Sequence, residues 1–174
     1  MSAVTHDRTE ERRPDQVFLL VRQMEETDLK SVLEIERSSF KTPWSEVSFL
    51  EELRAPFCHS FVALSGEVIA GSIHFAIIVD EIHLRNVAVR PGYRRGGIAT
   101  LLMETMIAYG REKEAFLGFL EVRRSNRPAL HLYEKLGFRK RGIRPLYYAD
   151  TCEDAVIMTA DFSLMNDEKK KGRS

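Results

Sequence analysis

The pattern of apolar and polar positions predicts an alternation of strands and helices along the chain. Short, nearly continuous apolar runs are typical of strands, whereas apolar residues three and four apart are typical of a helix with one buried face. Ser65-Gly66 lies between two of the apolar runs and indicates a hairpin turn. The predicted strands are 17–22, 61–64, 68–79, 82–89, 116–122, 138–143 and 155–160.

Helices are predicted between these strands from the helical spacing and from residues that start or stop a helix. Thr27 is expected to cap a helix through residue 40, and Ser45 to cap a second helix after the break at Pro43. A third helix covers 98–112. A fourth begins near Pro128, which the first turn of a helix tolerates, and stops at Gly137.

The order of these elements predicts the fold class. It runs strand, two helices and a β-meander, then strand, helix, strand, helix and two strands, which favours an α/β fold with a mixed sheet and helices on both faces. A chain of 174 residues suits a single domain. We expect that domain at 17–162, between polar, charged and flexible tails at 1–16 and 163–174.

Composition excludes several classes of function. Lys and Arg total 26 and so do Asp and Glu, so no net field draws the chain to nucleic acid or a membrane surface. The first residues lack the apolar core of a secretory signal, and no apolar run is long enough to span a bilayer. Cys58 and Cys152 lack metal-site spacing. We therefore expect a cytoplasmic protein with reduced thiols and no metal.

A glycine-rich segment between strand 82–89 and helix 98–112 carries the first chemical signal. It reads RPGYRRGGIATL from residue 90, and Gly96 and Gly97 permit backbone angles that other residues avoid. The helix behind it has free N–H groups and the positive end of its dipole, which together bind phosphate, and Arg94 and Arg95 add positive charge. Neither a Walker loop nor a G-x-G-x-x-G pattern is present. An ordinary strand-to-helix turn is the alternative.

Three further residues are candidates for chemistry, and each also has a structural interpretation. Glu121 lies in an apolar strand, where a carboxylate costs free energy unless it is paired or functional, but it could also face outward from a half-exposed strand.

Tyr133 lies at the edge of a helical stripe formed by Ala129, Leu132 and Leu136, and could be a core tyrosine whose hydroxyl reaches water. Asn126 could cap the fourth helix. His131 is expected on the surface.

Two motifs resemble the Gcn5-related N-acetyltransferase family. Arg94, Gly97 and Ala99 fit its R-x-x-G-x-A pyrophosphate loop, and 126–138 fits N-x-x-A-x-x-L-Y-x-x-x-G-F, its last conserved helix. Other segments resemble the bacterial RimI branch, which acetylates the N-terminal amine of a small-subunit ribosomal protein. These are Thr42-Pro43-Trp44-Ser45, Asn86-Val87-Ala88-Val89, Leu120-Glu121-Val122-Arg123, Ser125-Asn126 and Tyr147-Tyr148.

The resemblance implies acetyl-coenzyme A as co-substrate and a role for each matching residue. Glu121 would be the general base and Tyr133 the general acid. Asn126 would bind the cofactor, and Trp44, Tyr147 and Tyr148 would contact the acceptor. The backbone of Val87, Ala88 and Val89 would align the acetyl-pantetheine arm, and the loop amides of Arg95, Gly96, Gly97, Ile98, Ala99 and Thr100 would cradle the pyrophosphate.

Two departures from the family pattern are visible. Ala99 stands where glycine is frequent, which is an accepted variant, and Arg144-Pro145-Leu146 differs in detail from the relatives, which bears on acceptor selectivity.

The expected chemistry agrees with these roles. An α-amine has a pKa of about 8, so about a tenth is neutral at pH 7 and a carboxylate can remove the remaining proton. A tyrosine hydroxyl can protonate the departing thiolate. The acceptor is expected to be the N-terminus of an alanine-initiated ribosomal protein. The alternatives are a lysine or small-amine acceptor, and a non-catalytic acetyl-coenzyme A sensor, against which the presence of both Glu121 and Tyr133 argues.

Overall fold

The computed structural model describes residues 19–163, whose strands form one seven-stranded mixed sheet. The strand order is β1-β2-β3-β4-β5-β7-β6, and β4 with β5 is the parallel pair. The strands are β1 (Leu19–Gln23), β2 (Cys58–Ser65), β3 (Val68–Ile78), β4 (Glu81–Val89), β5 (Leu117–Arg123), β6 (Arg139–Tyr148) and β7 (Glu153–Asp161).

The helices follow the predicted order, and one predicted start is wrong. They are α1 (Leu29–Ser39), α2 (Glu46–Arg54), α3 (Ile98–Glu112) and α4 (Arg127–Lys135). Ser45 caps α2 as predicted, because its Oγ accepts a hydrogen bond from the Ser48 N–H at 3.1 Å. Thr27 does not cap α1. It lies in a short 3₁₀ turn, Glu26–Asp28, where the Asp28 carboxylate accepts the Glu25 N–H at 2.8 Å and α1 starts after it.

The helices cover both faces of the sheet, as the fold class predicted. Phe61 and Val62 are neighbours on β2, so their side chains point to opposite faces. Phe61 belongs to a core cluster with residues of α3 and α4, including Leu102, and Val62 belongs to a cluster with residues of α1 and α2, including Ile35. The mixed α/β architecture is therefore confirmed.

An opening between β4 and β5 is the feature of the fold that positions the site. The two strands pair only from Glu81 to His83 on β4. Beyond that point the register of β3 and β4 shifts, because His74 pairs with Asn86 and Phe75 with Leu84. Arg85 is thus an extra residue, and such a bulge bends a strand away from its neighbour. Residues 84–89 and 120–123 are therefore not paired with each other, and this unpaired stretch is the opening.

Some sequence boundaries differ from the structure. The predicted tails lie outside the described residues apart from Ser163, as do the first two residues of the strand predicted at 17–22, so the domain limits stay a prediction. Strand β6 runs on to Tyr148, beyond the predicted end at 143, because Pro145 is tolerated on the edge of a sheet. No helix within residues 19–163 has the length and apolar character needed to cross a membrane.

Candidate functional site

The loop before α3 has the geometry of an anion site. Gly97 adopts the left-handed conformation at φ +80°, and so does Arg95 at φ +65°. The first backbone hydrogen bond into α3 is donated by the Leu101 N–H to the Gly97 carbonyl at 3.0 Å, so the amides before Leu101 have no partner inside the helix. A Cβ at Gly97 would meet no atom within 4 Å. The loop therefore presents free N–H groups to open space, as a pyrophosphate requires.

The Arg94 side chain holds this loop in place instead of standing free beside it. Its Nε donates to the Val89 carbonyl at 3.0 Å and its Nη2 donates to Ser39 Oγ at 3.1 Å. These bonds tie the loop to the end of β4 and to the last turn of α1. Arg95 and the two glycines after it are exposed. The charge that faces a ligand at this loop is thus expected from Arg95.

The segment Val87-Ala88-Val89 borders the opening between β4 and β5. Its other edge pairs with β3, where Val89 is opposite Gly71. Apart from the Val89 carbonyl, which accepts the Arg94 Nε, the edge that faces the opening has backbone groups available to an extended chain with amide groups, in the manner of an added strand. The predicted alignment of a pantetheine arm fits this edge.

Glu121 lies on β5 beside the opening. Its neighbours Leu120 and Val122 are buried in the cluster with α4, so Glu121 points to the opposite face, with 26% of its side chain exposed. Burial alternates along β5, which agrees with the half-exposed interpretation of this strand. The Glu121 carboxylate is paired: Arg144 Nη1 lies 3.0 Å from its Oε1. A hydrogen bond with the Glu121 carboxylate also raises the pKa of the Tyr147 hydroxyl.

Tyr133 is more deeply buried than its position in the sequence predicted. It is 5% exposed, and with Leu130 it forms the buried face of α4, whereas Ala129, Leu132 and Leu136 are only partly buried. The predicted stripe was therefore wrong by about one residue: α4 turns its 130/133 pair toward the sheet. Burial raises the pKa of Tyr133 well above its ordinary value, which keeps the hydroxyl protonated as a general acid must be.

Asn126 acts as a cap, which was one of its two interpretations. Its Oδ1 accepts the Ala129 N–H at 3.2 Å at the start of α4. The cap uses only the carbonyl oxygen of the side chain, so its NH₂ group can still serve a ligand, and the cofactor role stays a prediction. His131 is exposed on the same helix, as expected.

Trp44 is fixed by a buried carboxylate that the sequence analysis missed. Glu36 is 2% exposed, and its Oε1 accepts the backbone N–H of Trp44 at 2.9 Å. The Asn86 Nδ2 donates to both of its oxygens, at 3.1 and 3.0 Å. Burial raises the pKa of Glu36. A signal was present, because Glu36 falls on the apolar face of α1, four positions after Val32.

Tyr147 and Tyr148 end β6 and lie near Glu121. The sequence analysis did not predict that Arg123 holds the Tyr148 ring in place. The Arg123 guanidinium lies 4.0 Å from the centre of the Tyr148 ring. It also donates to Asp150 at 2.8 Å, and this hydrogen bond lowers the pKa of that carboxyl. Burial raises the pKa of Tyr148 to about 12.

A hydrogen bond joins two connections that are far apart in the chain, on the side of the site where Tyr147 and Tyr148 lie. Thr42 Oγ1, between α1 and α2, donates to Asp150 Oδ2 at 3.4 Å, between β6 and β7. Of the three predicted acceptor residues, Trp44 therefore lies on the first of these connections, and Tyr147 and Tyr148 end β6 directly before the second.

Comparison with known proteins agrees with these features. The family model described as "Acetyltransferase (GNAT) family" matches residues 29–138. The chain is 36% identical to the [Ribosomal protein bS18]-alanine N-acetyltransferase of Escherichia coli K12 over 143 residues, which are 81% of this chain and 96% of that protein. A Bacillus subtilis protein provisionally named for the same activity is 40% identical over 139 residues, covering 79% of this chain and 92% of that protein.

Solved structures of acetyltransferases have a similar fold. The crystal structure of the ribosomal-protein-S18-alanine N-acetyltransferase from Escherichia coli superposes with a TM-score of 0.79 at 33% identity, covering 87% of this chain and 98% of that one. A Bacillus anthracis acetyltransferase solved with acetyl coenzyme A has a TM-score of 0.71 at 22% identity, with 83% of this chain and all 100% of that chain covered, which is a likeness of fold alone.

Proposed function

Because the chain belongs to the acetyltransferase (GNAT) family, we propose that it moves an acetyl group from acetyl-coenzyme A to the N-terminal α-amine of a protein. The family is the one that the sequence motifs predicted, and the chain is similar over nearly the full length of relatives named as N-terminal alanine acetyltransferases. The observation that carries the proposal is the opening between β4 and β5, with the loop amides after β4 at one end and Glu121 beside it on β5. We expect the Tyr133 hydroxyl to face the same opening from α4.

The residues present fit acetyl-coenzyme A. The pyrophosphate would lie on the amides between Arg95 and Thr100, in front of the helix dipole of α3. The pantetheine arm would run along the free edge of Val87–Val89. The thioester brings an already activated acetyl group, so the chain has to supply only orientation, a proton acceptor for the amine and a proton donor for the sulfur.

Glu121 and Tyr133 lie on opposite faces of the sheet, and we expect both side chains to reach the opening. Glu121 faces the side of α1 and α2, from which we expect the amine to enter, and takes its proton directly or through a water. Tyr133 belongs to the core on the α4 side and gives its proton, or a hydrogen bond, to the leaving thiolate. Attack from one face and departure on the other allow direct transfer in a ternary complex.

The proposed acceptor is an alanine-initiated protein of the small ribosomal subunit. Relatives at 36% identity are named for the alanine of ribosomal protein bS18. Locally, the aromatic rings of Trp44, Tyr147 and Tyr148 and the carboxylate of Glu121 suit a cationic N-terminus held against apolar walls. A ribosomal acceptor also implies the cytoplasmic location that the sequence analysis expected.

Mass spectrometry of a peptide panel after incubation with acetyl-coenzyme A tests this proposal. The panel contains peptides that begin with Ala, Ser, Thr or Met, and a peptide blocked at its α-amine that carries an internal lysine. We expect acetylation of the α-amine, with the Ala-initiated ribosomal peptide turned over fastest. Equal acetylation of the blocked lysine peptide would favour a lysine acetyltransferase, and binding of acetyl-coenzyme A without any turnover would favour a sensor.

A further inference from the structure

Arg144 makes the ion pair with Glu121 at the place where the acceptor amine is expected. Its Nη1 lies 3.0 Å from Glu121 Oε1, and its guanidinium carbon is 5.1 Å from the centre of the Tyr147 ring. A cation thus already contacts both the carboxylate and the aromatic ring. This is the chemistry by which the site would recognise a protonated amine.

Arg144 is held loosely compared with the other arginine on this face. Its side chain is 54% exposed, whereas that of Arg123 is 25% exposed. Arg123 donates to Asp150 and to Thr151 Oγ1 and stacks on Tyr148. Arg144 contacts Glu121 and Tyr147 in the described part of the chain. Exposed ion pairs contribute little, so Arg144 can leave Glu121 at small cost while Arg123 stays.

The backbone next to Arg144 also differs from a regular strand. Arg144 is opposite Ala155 on β7, and the next paired residue is Tyr148, opposite Glu153. The chain between them bulges out of the sheet, with Leu146 at φ +51° and its N–H bonded to Asp154 Oδ1 at 3.0 Å. Arg144 therefore stands at the start of a bulge, where its side chain can turn toward solvent without breaking the pairing of β6 with β7.

We propose that the Arg144 guanidinium is a placeholder for the acceptor ammonium on Glu121, and that acceptor binding displaces it. This inference rests on the proposed function. Without an acceptor, Arg144 keeps the partly buried carboxylate paired. When a protonated amine enters, the two cations compete for one carboxylate and repel each other, so the more mobile guanidinium moves out. Arg144 then sets the acceptor affinity of the enzyme and takes no part in proton transfer.

Steady-state kinetics of Arg144→Ala test the placeholder. Arg141→Ala is the matched control, since Arg141 is on the same strand and its Nε bonds to Thr159 Oγ1, away from Glu121. Removing a competitor worth up to about 1 kcal/mol should lower the acceptor KM by up to about fivefold. We expect kcat and the KM for acetyl-coenzyme A to stay within about twofold, and Arg141→Ala to match the wild type.

The opposite outcomes overturn the proposal. A higher acceptor KM would mean that Arg144 binds the acceptor, and a large fall in kcat at unchanged KM would mean that it acts on the bound amine. The acceptor KM and kcat are each compared as a ratio between variant and wild type, and they are measured with whichever acceptor the wild type acetylates. An error in the proposed acceptor class therefore shows in the wild-type panel, and an error in the placeholder shows in the ratio.

Discussion

The Glu36 carboxylate and the Asn86 side-chain amide are joined by two hydrogen bonds, with Nδ2 at 3.1 and 3.0 Å from the two oxygens. Glu36 also accepts the backbone N–H of Trp44 at 2.9 Å. One buried carboxylate thus connects Trp44, a predicted acceptor residue, to the residue that directly precedes Val87-Ala88-Val89. Because a buried charge is costly unless it is fully bonded, this connection fixes the distance between two parts of the site.

Replacing Glu36 by alanine should therefore affect both stability and acceptor binding. The Asn86 Nδ2 and the backbone N–H of Trp44 lose their shared acceptor, which should lower the free energy of unfolding by about 2–4 kcal/mol. Trp44 loses its anchor, so the acceptor KM should rise several-fold more than the KM for acetyl-coenzyme A. Chemical denaturation and steady-state kinetics measure the two effects.

Glu34→Ala is the matched control for this change. Glu34 lies on the same helix, is half exposed and pairs with Arg90 at 3.4 Å. It should change stability by less than about 1 kcal/mol and leave both KM values unchanged. Equal effects of the two substitutions would show that Glu36 has no special part in holding Trp44.

Local signals made most of the fold predictable, since each one is encoded within a few residues. Gly137 ends α4 with φ +92°, and Pro128 lies in its first turn, as the sequence indicated. Gly97, with φ +80°, likewise lies in the turn that the sequence predicted before α3. The strand order and the opening between β4 and β5 depend on pairing between distant segments, and no single segment contains that information.

The parts of the site that were missed are contacts between residues far apart in the chain. Glu36 and Asn86 are 50 positions apart, and Thr42 and Asp150 are 108 apart. The burial of Tyr133 was missed for a related reason, because the face that α4 turns inward is set by the sheet below it. Motif resemblance identified Glu121 and Tyr133 as candidates, but it could not show that Arg144 pairs with Glu121.

Gly97→Val should abolish tight binding of acetyl-coenzyme A. Valine is strained at φ +80°, and its side chain would occupy the open space in front of the loop amides. Gly66→Val is the matched control, because Gly66 has φ +62° with nothing within 4 Å, at the turn between β2 and β3. Calorimetry should give at least tenfold weaker binding for Gly97→Val alone, while both variants lose about 1–3 kcal/mol of stability. Similar affinities for the two variants would remove the pyrophosphate from this loop.

Tyr133→Phe should lower kcat by about a hundredfold or more if its hydroxyl protonates the thiolate. The ring keeps its packing against Phe138, whose centroid is 6.0 Å away, so the melting temperature should stay close to that of the wild type. Tyr109→Phe on α3 removes another tyrosine hydroxyl and should leave kcat unchanged. A variant of Tyr133 with full kcat would assign the residue to the core alone.

Glu121→Gln should lower kcat at least about a hundredfold with little change in the affinity for acetyl-coenzyme A. Glutamine keeps the size of the side chain and removes its ability to take a proton. Glu153→Gln is a useful control, because Glu153 accepts the Ser125 N–H and lies beside Arg123 on the same side of the site. Wild-type turnover of Glu121→Gln from pH 6 to 9 would exclude this carboxylate as the base.

His74 should make the protein less stable in mild acid. Its ring is fully buried against Phe49 and Trp44, with Nδ1 at 2.9 Å from Ser60 Oγ. Its Nε2 has no hydrogen-bond partner among residues 19–163, and burial lowers its pKa from 6.5 to about 3. The folded state therefore takes up this proton far less readily than the unfolded state. The stabilisation is complete above pH 6.5 and is lost as the pH falls toward 3, at about 1.4 kcal/mol per pH unit.

Unfolding free energies measured between pH 7.5 and 5 should thus fall by about 2 kcal/mol through His74. Glu36, whose pKa is raised by burial, works in the opposite direction, because the folded state takes up this proton more readily than the unfolded state as the pH falls. His74→Gln removes the titrating group and should flatten the profile in this range, whatever it costs at pH 7.5. His131→Gln, on the exposed face of α4, should keep the wild-type slope, and a wild-type slope in His74→Gln would assign the acid sensitivity to another group.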